Sequence, residues 1–331
     1  MATYYGTYGQ KVQYLASDPS DPQIGQVWYN STSATLKVRQ EVTVNAWASG
    51  GNLNSKRQSA QNGAVGTQNA SIEAGGLNPA ASPTSVTNFE LYNGTAWTNS
   101  PQSLPSVRNA GCSFGSQTAA VLAGGDNGPA YVNTTVIWNG STWSPSGNMN
   151  TTRGSSIAGY GTQTAGLGAG GYNASPSANS VATESFNGTS WTTVNSLNTA
   201  RRGSGGAGIQ TAALYFGGSS PGSNATESWN GTSWTSVANL NTGRGGLGGM
   251  GIQTAAVAFG GSPYTGATEL WGGSAWTTNS NSMATARHGL SQGGTQTSGL
   301  AIGGRGSPGD AVTTTEEWTG IEAQTKTVTV S

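Results

Sequence analysis

A short apolar run that ends in a Gly-Gly doublet recurs along this chain, and this repeat constrains the fold more than any other feature. Successive doublets start 43 to 49 residues apart, and a glutamine stands seven positions before each one. Self-similarity at a period of this size is typical of repeat architectures. The doublets begin at Gly75, Gly124, Gly170, Gly217, Gly260 and Gly303.

Two further signatures keep constant places within the units. An arginine that follows a Leu or Met by four positions opens each unit, and later an aromatic residue is followed by a tryptophan five positions on. Such fixed offsets indicate one structural unit copied along the chain. The arginines are Arg57, Arg108, Arg153, Arg201, Arg244 and Arg287. The aromatic pairs are Tyr92/Trp97, Trp138/Trp143, Phe186/Trp191, Trp229/Trp234 and Trp271/Trp276.

Each unit predicts four short strands. In one unit these are the glycine-rich segment 203–209, the apolar run 211–216, the segment 225–229 and a strand that begins at Ser233. Asn230 and Gly231 favour a tight hairpin turn because both residue types tolerate positive φ. Six units of four strands predict an all-β, six-bladed β-propeller. A flat solenoid is the alternative architecture.

The two ends of the array predict how it closes. Trp47 stands 10 residues before Arg57, the spacing of a fourth-strand tryptophan, whereas no tryptophan follows Trp318 five residues later. We expect the N-terminal strand around Trp47 to complete the last blade, which would also remove an exposed sheet edge. The alternating tail 325–330 is the competing strand for that place.

The order of arginine, glycine-rich strand, apolar run, Gly-Gly, Glu-x-aromatic, turn and tryptophan resembles the kelch repeat over residues 45–320. That resemblance implies a β-propeller but no particular activity. The low-charge, Thr/Asn/Gly-rich repeats are similar to those of kelch-like proteins of tailed bacteriophages. Residues 17–38 resemble a short β-hairpin module of phage tail-fibre and virion proteins. We therefore expect an N-terminal β-hairpin segment, 1–40, for virion anchoring and oligomerisation, and a kelch-like propeller over 41–331.

Composition argues against several classes of function. Thirteen basic residues balance thirteen acidic ones, and charged residues make up 8% of the chain, which argues against nucleic-acid binding. No apolar run is long enough to insert into a membrane. The single cysteine excludes an internal disulfide and a cysteine-based zinc site. We predict neither a metal nor a cofactor.

The connection between the second and third strands varies from unit to unit, and recognition usually lies in loops that vary on a constant scaffold. These loops carry Tyr131, Tyr172, Tyr264, Asp126, Asp310 and Arg305. Aromatic rings beside short polar groups suit sugar stacking or flat protein contacts, although ordinary solvated loops are the alternative interpretation. His288 is a further candidate for a polar ligand contact.

The repeated arginines have two interpretations. We expect them at the mouth of the central channel, where a cationic ring could hold an anionic sugar or phosphate. Alternatively, each arginine pairs with the third-strand glutamate of its unit, a structural role that the matching recurrence favours. The glutamates are Glu90, Glu184, Glu227, Glu269 and Glu316. Val136 replaces the glutamate in one unit, so Arg108 is predicted to be free for a ligand.

The sequence lacks the residues that two known kinds of propeller enzyme need for catalysis. A galactose-oxidase-like copper site needs histidines and a tyrosine linked to a cysteine, but His288 and Cys112 are alone of their kinds and lie in different units. The Ser-x-Asp-x-Gly-x-x-Trp turns of sialidase-like propellers are absent from the sequence. We therefore predict a protein that is not an enzyme.

The resemblances imply a bacteriophage virion component, a tail fibre or decoration protein, that attaches to the host surface through a glycan. Its other expected partners are virion proteins, contacted through the N-terminal segment, and further copies of itself. Two alternatives stay open: a structural decoration protein without a receptor, and a kelch-type adaptor that binds a partner protein.

Overall fold

The computed structural model describes residues 12–58, 61–62, 65–78, 84–219 and 222–328. The first eleven residues of the predicted anchoring segment and the last three residues of the chain lie outside the described residues. The regular structure of the described part consists of strands. None of the described elements is a helix long and apolar enough to cross a membrane.

The chain divides into two compact units, unit 1 with the described residues of 1–45 and 319–331, and unit 2 with those of 46–318. The first strands are β1 (Gln13–Leu15), β2 (Val27–Asn30) and β3 (Thr35–Ser49). In unit 1, β2 and the start of β3 form the antiparallel hairpin that the sequence predicted, and β1 pairs parallel with β2. The predicted domain boundary after residue 40 stays a prediction.

Four-stranded antiparallel sheets repeat through unit 2, and these sheets are called blades below. The strands up to the second blade are β4 (Gln61–Asn62), β5 (Gly66–Thr67), β6 (Ala70–Ala74), β7 (Asn88–Tyr92), β8 (Trp97–Ser103), β9 (Gly111–Ser116), β10 (Ala119–Ala123), β11 (Thr135–Trp138) and β12 (Trp143–Ser146). The next are β13 (Arg153–Gly154), β14 (Ala158–Thr162), β15 (Ala165–Ala169), β16 (Tyr172–Asn173), β17 (Ala178–Asn179), β18 (Thr183–Phe186) and β19 (Trp191–Val194).

The remaining strands are β20 (Gly205–Ile209), β21 (Ala212–Phe216), β22 (Thr226–Trp229), β23 (Trp234–Val237), β24 (Gly248–Ile252), β25 (Ala255–Phe259), β26 (Thr268–Trp271), β27 (Trp276–Asn279), β28 (Arg287–His288), β29 (Ser291–Gly294), β30 (Ser298–Ile302), β31 (Arg305–Gly306) and β32 (Thr315–Thr327). The all-β propeller fold is therefore confirmed, while the number of blades stays a prediction.

The blade β20–β23 shows why the sequence folds in this way. Gly206 pairs with Tyr215 across the two inner strands, and a Cβ at Gly206 would lie 2.6 Å from the Tyr160 ring of the preceding blade. Glycine in the first strand thus lets the neighbouring blade approach closely. The Asn-Gly turn differs from the expected tight form, because only Gly231 has positive φ. Instead, Asn230 Oδ1 accepts hydrogen bonds from the backbone N–H groups of Thr232 and Ser233.

Neighbouring blades are joined by the repeated residues themselves. The N–H of the second glycine of each doublet donates to the carbonyl of the next unit's arginine, as from Gly218 to Arg244 at 2.9 Å. The repeated glutamine donates to the carbonyl of the preceding blade's third-strand aromatic, as from Gln210 to Phe186 at 2.8 Å. The repeated glutamines therefore link neighbouring blades.

The same bonds join the end of unit 2 to its beginning. The Gly304 N–H donates to the Arg57 carbonyl at 2.9 Å, and the Gln68 side chain donates to the Trp318 carbonyl at 3.0 Å. The ring of Trp47 packs 5.2 Å from that of Trp318, and its Nε1 donates to Thr268 Oγ1 at 2.9 Å. The predicted closure by the N-terminal strand is therefore confirmed.

The indole hydrogen bond of Trp47 recurs in the other blades, with one exception. Other fourth-strand tryptophans donate to the threonine before the glutamate position of the preceding blade, as from Trp276 to Thr226. Trp143 has no such partner, because Phe89 occupies the threonine position, and its buried Nε1 has no hydrogen bond to any described residue.

We expect Trp47→Phe to lower the free energy of unfolding by about 1 kcal/mol more than Trp143→Phe does. Both changes shrink a ring of the same kind, but only the first breaks a hydrogen bond and leaves the Thr268 hydroxyl with one partner fewer. Denaturant unfolding of the two variants measures the difference. Equal losses would contradict a closing role for the Trp47 indole.

Candidate functional site

The repeated arginines are structural anchors. Arg244 donates from Nη2 to Glu269 Oε1 at 3.0 Å and from Nη1 to the carbonyls of Gly260 and Ala267. The guanidinium therefore ties the first glycine of the doublet to the third strand. The corresponding ion pairs are Arg57–Glu90, Arg153–Glu184, Arg201–Glu227 and Arg287–Glu316, all with both side chains at most 3% exposed. The expectation of an open cationic ring is wrong, since these groups are buried.

The glutamate carboxylates have further partners. Glu269 Oε2 accepts the backbone N–H of Asn241, which lies three residues before Arg244. In the unit of Arg108 the corresponding residue is Pro105, which has no N–H, and the glutamate is replaced by Val136. The carboxylate and one of its donors are thus missing together.

Arg108 is not free, which corrects the prediction that it contacts a ligand. Its side chain is 2% exposed and donates to the carbonyl and hydroxyl oxygens of Thr134 at 2.6 and 2.7 Å. Burial lowers the pKa of Arg108 to about 10. The polar atoms of Thr134, which directly precedes the third strand, therefore take the place of the missing carboxylate.

A depression of about 280 Å³ opens instead beside the residues that follow the repeated arginines. Its lining includes neutral side chains that can form hydrogen bonds and the positively charged Arg202. None of its described lining residues is acidic. Its lining residues are Leu77, Asn109, Ala110, Ser155, Ser156, Arg202, Gly203, Ser219, Gly246, His288 and Gly289. These residues define the rim depression below.

The backbone of the rim depression is fixed by an unusual conformation. Ala110, Ser155 and Ser156 have φ of 50°, 53° and 65°, values that non-glycine residues rarely adopt. Hydrogen bonds between neighbouring blades hold this backbone, as from the Ser156 N–H to the Ala110 carbonyl at 2.8 Å. Strained backbone that its surroundings impose is concentrated at functional sites.

Three tyrosines of the variable loops surround residues of the rim depression. The Tyr131 hydroxyl lies 2.9 Å from Ser155 Oγ, and its ring packs edge-on to Tyr172 with centroids 6.1 Å apart. Tyr264 lies 5.1 Å from His288 between ring centroids and is 36% exposed. The structure thus brings together side chains from separate variable loops.

The charged candidates have different surroundings. His288 pairs with Arg305 across β28 and β31, and its pKa is lowered by burial and then by the Arg305 charge. Arg305 is exposed and donates from Nε to the Gly309 carbonyl at 2.6 Å. Asp126 Oδ1 accepts the Gly128 N–H within its own turn. Neither Asp126 nor the exposed Asp310 lines the rim depression.

Sequence reasoning missed Arg202, although a signal for it exists. The residue after each repeated arginine changes from unit to unit: Gln58, Asn109, Gly154, Arg202, Gly245 and His288. The position is variable although its neighbour is constant. Three of its members with polar or charged side chains, Asn109, Arg202 and His288, line the rim depression.

Other parts of unit 2 have fewer groups that could bind or react with a ligand. Cys112 is fully buried, and burial raises its thiol pKa to about 12. Within the described ranges, no group of three or more His, Cys, Asp or Glu residues could hold a metal ion. A second depression of about 150 Å³ is lined mainly by glycines of the first strands of the blades.

Comparison with known proteins adds a structural neighbour. No protein-family model matches the chain. No curated protein matches it either. A solved structure described as "Structure of YjhT" aligns with a TM-score of 0.68 and 14% identity, covering 82% of this chain and 99% of that one. This likeness supports the propeller fold. It says nothing about a ligand. The fold is compatible with a non-enzymatic role.

Proposed function

We propose that this protein is a non-enzymatic component of a bacteriophage particle that attaches to the host surface by binding a glycan at the rim depression. The observation that carries the binding proposal is a depression lined by hydroxyls and an arginine, whose lining residues contact three tyrosines of the variable loops. The assignment to a virion is supported by the resemblance of the low-charge repeats and of residues 17–38 to phage proteins.

Carbohydrate recognition fits the chemistry of these groups. Aromatic side chains supply rigid apolar area, while Asn109, Ser155 and Ser156 supply short polar groups for sugar hydroxyls. The β2–β3 hairpin of unit 1 is the proposed anchor to other virion proteins, and copies of the chain are proposed to assemble through the same segment. The proposed location is thus the extracellular particle.

We expect Tyr264→Ala to weaken glycan binding at least about fivefold, because an exposed aromatic contact in a binding patch contributes about 1 kcal/mol or more. Binding of the purified protein to a glycan array measures the effect. Tyr14→Ala is the matched control, since Tyr14 is 75% exposed and belongs to unit 1. Equal binding by both variants would contradict glycan recognition at this face.

The virion assignment has a separate test. An antibody against this chain should label purified particles of the encoding phage in negative-stain images, at one fixed place on the particle. Unlabelled particles would refute the assignment. Unchanged host adsorption after deletion of the gene, with labelling retained, would favour a structural decoration protein without a receptor.

A further inference from the structure

We infer that the rim depression selects an anionic saccharide, one that carries a carboxylate or a phosphate ester, and that Arg202 holds the charged group. This inference deepens the proposed glycan binding and rests on it. It is carried by the contrast between Arg202 and the buried arginine one position before it.

Arg201 and Arg202 are adjacent in sequence but have different electrostatic surroundings. Arg201 is 3% exposed and bonds to Glu227 at 2.6 Å, so its charge is neutralised within the blade. Arg202 is half-buried and forms no salt bridge with any described residue. Its guanidinium carbon lies 4.5 Å from the centroid of the Tyr172 ring. One of the two charges is thus left for a ligand.

The stacking orders the guanidinium without pairing it with an acidic group. A cation over an aromatic face is attracted by the ring, while the N–H groups at the guanidinium edge stay able to donate. Such a planar fork matches two oxygens of a carboxylate or phosphate group, and hydrogen bonds to ionised groups are about twice as strong as neutral ones. Tyr172 therefore serves as a platform that preorganises Arg202 for an anion.

The surroundings of Arg202 strengthen the selection for a negative charge. The described residues that line the rim depression include no Asp or Glu, so no carboxylate there competes with a ligand. Arg305 does not line the rim depression, but it stands opposite the lining residue His288 across β28 and β31 and has no salt bridge among the described residues. Asn109, Ser155 and Ser219 also line the depression, and their neutral polar groups can form hydrogen bonds with sugar hydroxyls.

The test uses four small probes: glucose, glucuronate, glucose 6-phosphate and inorganic phosphate. Chemical-shift titration of the full chain should give dissociation constants about tenfold lower for the two charged sugars than for glucose. Arg202→Gln should abolish that preference, and Arg202→Lys should retain part of it because the charge remains without the fork. Arg39→Gln removes one charge from unit 1 and should leave the preference intact.

The outcomes separate this inference from the proposed function. Glucose bound as tightly as the charged sugars, or a preference that survives Arg202→Gln, would overturn the anion site while leaving glycan binding in place. Phosphate bound through Arg202 as tightly as glucose 6-phosphate, without sugar binding, would keep an anion site but refute saccharide recognition. Binding of none of the probes would overturn the inference. The ratio of glucuronate to glucose 6-phosphate affinity identifies the preferred anion.

Discussion

Arg244→Met is expected to lower the free energy of unfolding by about 3–5 kcal/mol, because it leaves a buried carboxylate without its cation. Glu269 is 2% exposed, and its Oε1 lies 3.0 Å from Arg244 Nη2. The substitution also removes the donors to the carbonyls of Gly260 and Ala267. Urea unfolding at neutral pH measures the loss.

Arg108→Met provides the matched control within the same molecule. This arginine occupies the same place in its blade, but Val136 stands where the glutamate would be, so its removal orphans no charge. Burial already lowers the Arg108 pKa to about 10, which means that the fold disfavours this cation. We expect the change to cost at most about 1–2 kcal/mol, for the hydrogen bonds to Thr134.

A second substitution isolates the cause. Adding Glu269→Gln to Arg244→Met removes the orphaned charge and should recover a substantial part of the lost stability. Similar losses for Arg244→Met and Arg108→Met, or no recovery in the double variant, would show that the arginine acts mainly through its carbonyl contacts rather than through the ion pair.

The strand pattern could be predicted from the sequence because each element has a local signal. Segments 211–216 and 225–229 were predicted as strands, and β21 and β22 begin one residue later. The pairing of Trp47 with the last blade followed from spacing alone, because every fourth-strand tryptophan stands 10 or 11 residues before the next arginine. Periodicity is reliable here because every blade must satisfy the same backbone and packing constraints.

The candidate site was harder to predict, because it depends on burial rather than on residue type. A cation without its acidic partner was expected to be free, yet Thr134 and the neighbouring backbone satisfy Arg108 inside the blade. Conversely, Arg202 follows a repeated arginine and was overlooked, although it forms no salt bridge with any described residue. Which of two adjacent arginines faces the blade interior is set by strand geometry that composition does not report.

Glu73 gives the protein a stability that falls as the pH rises, and Glu73→Gln should remove this fall. Glu73 is 1% exposed, and burial raises its pKa from 4.5 to about 8 despite the nearby Arg57 charge. Its strand partner is Glu90, which already holds Arg57 at 2.9 Å. The Arg57 guanidinium thus forms its ion pair with Glu90, and Glu73 has no cation of its own within the described part of the chain. The Glu73 carboxyl therefore remains protonated at neutral pH.

The sign follows from proton binding. Between about pH 4.5 and 8 the folded protein retains a proton on Glu73 that the unfolded chain has released, so the folded state binds more protons. The stability contributed by the protonated group is fully present below pH 4.5 and is lost as the pH rises through the folded pKa. At 1.36 kcal/mol per pKa unit, the loss amounts to roughly 5 kcal/mol.

The Glu73 bond also links the first blade to the last, because Ser291 Oγ donates to Glu73 Oε1 at 3.1 Å while Oε2 has no partner among the described residues. Glutamine is neutral at every pH and keeps an oxygen for Ser291. Glu73→Gln should therefore match the wild type near pH 5 and exceed its free energy of unfolding by several kcal/mol near pH 9. Glu41→Gln, at an exposed position, is the control and should run parallel to the wild type. Parallel curves for Glu73→Gln and the wild type would mean that Glu73 is already ionised in the folded protein.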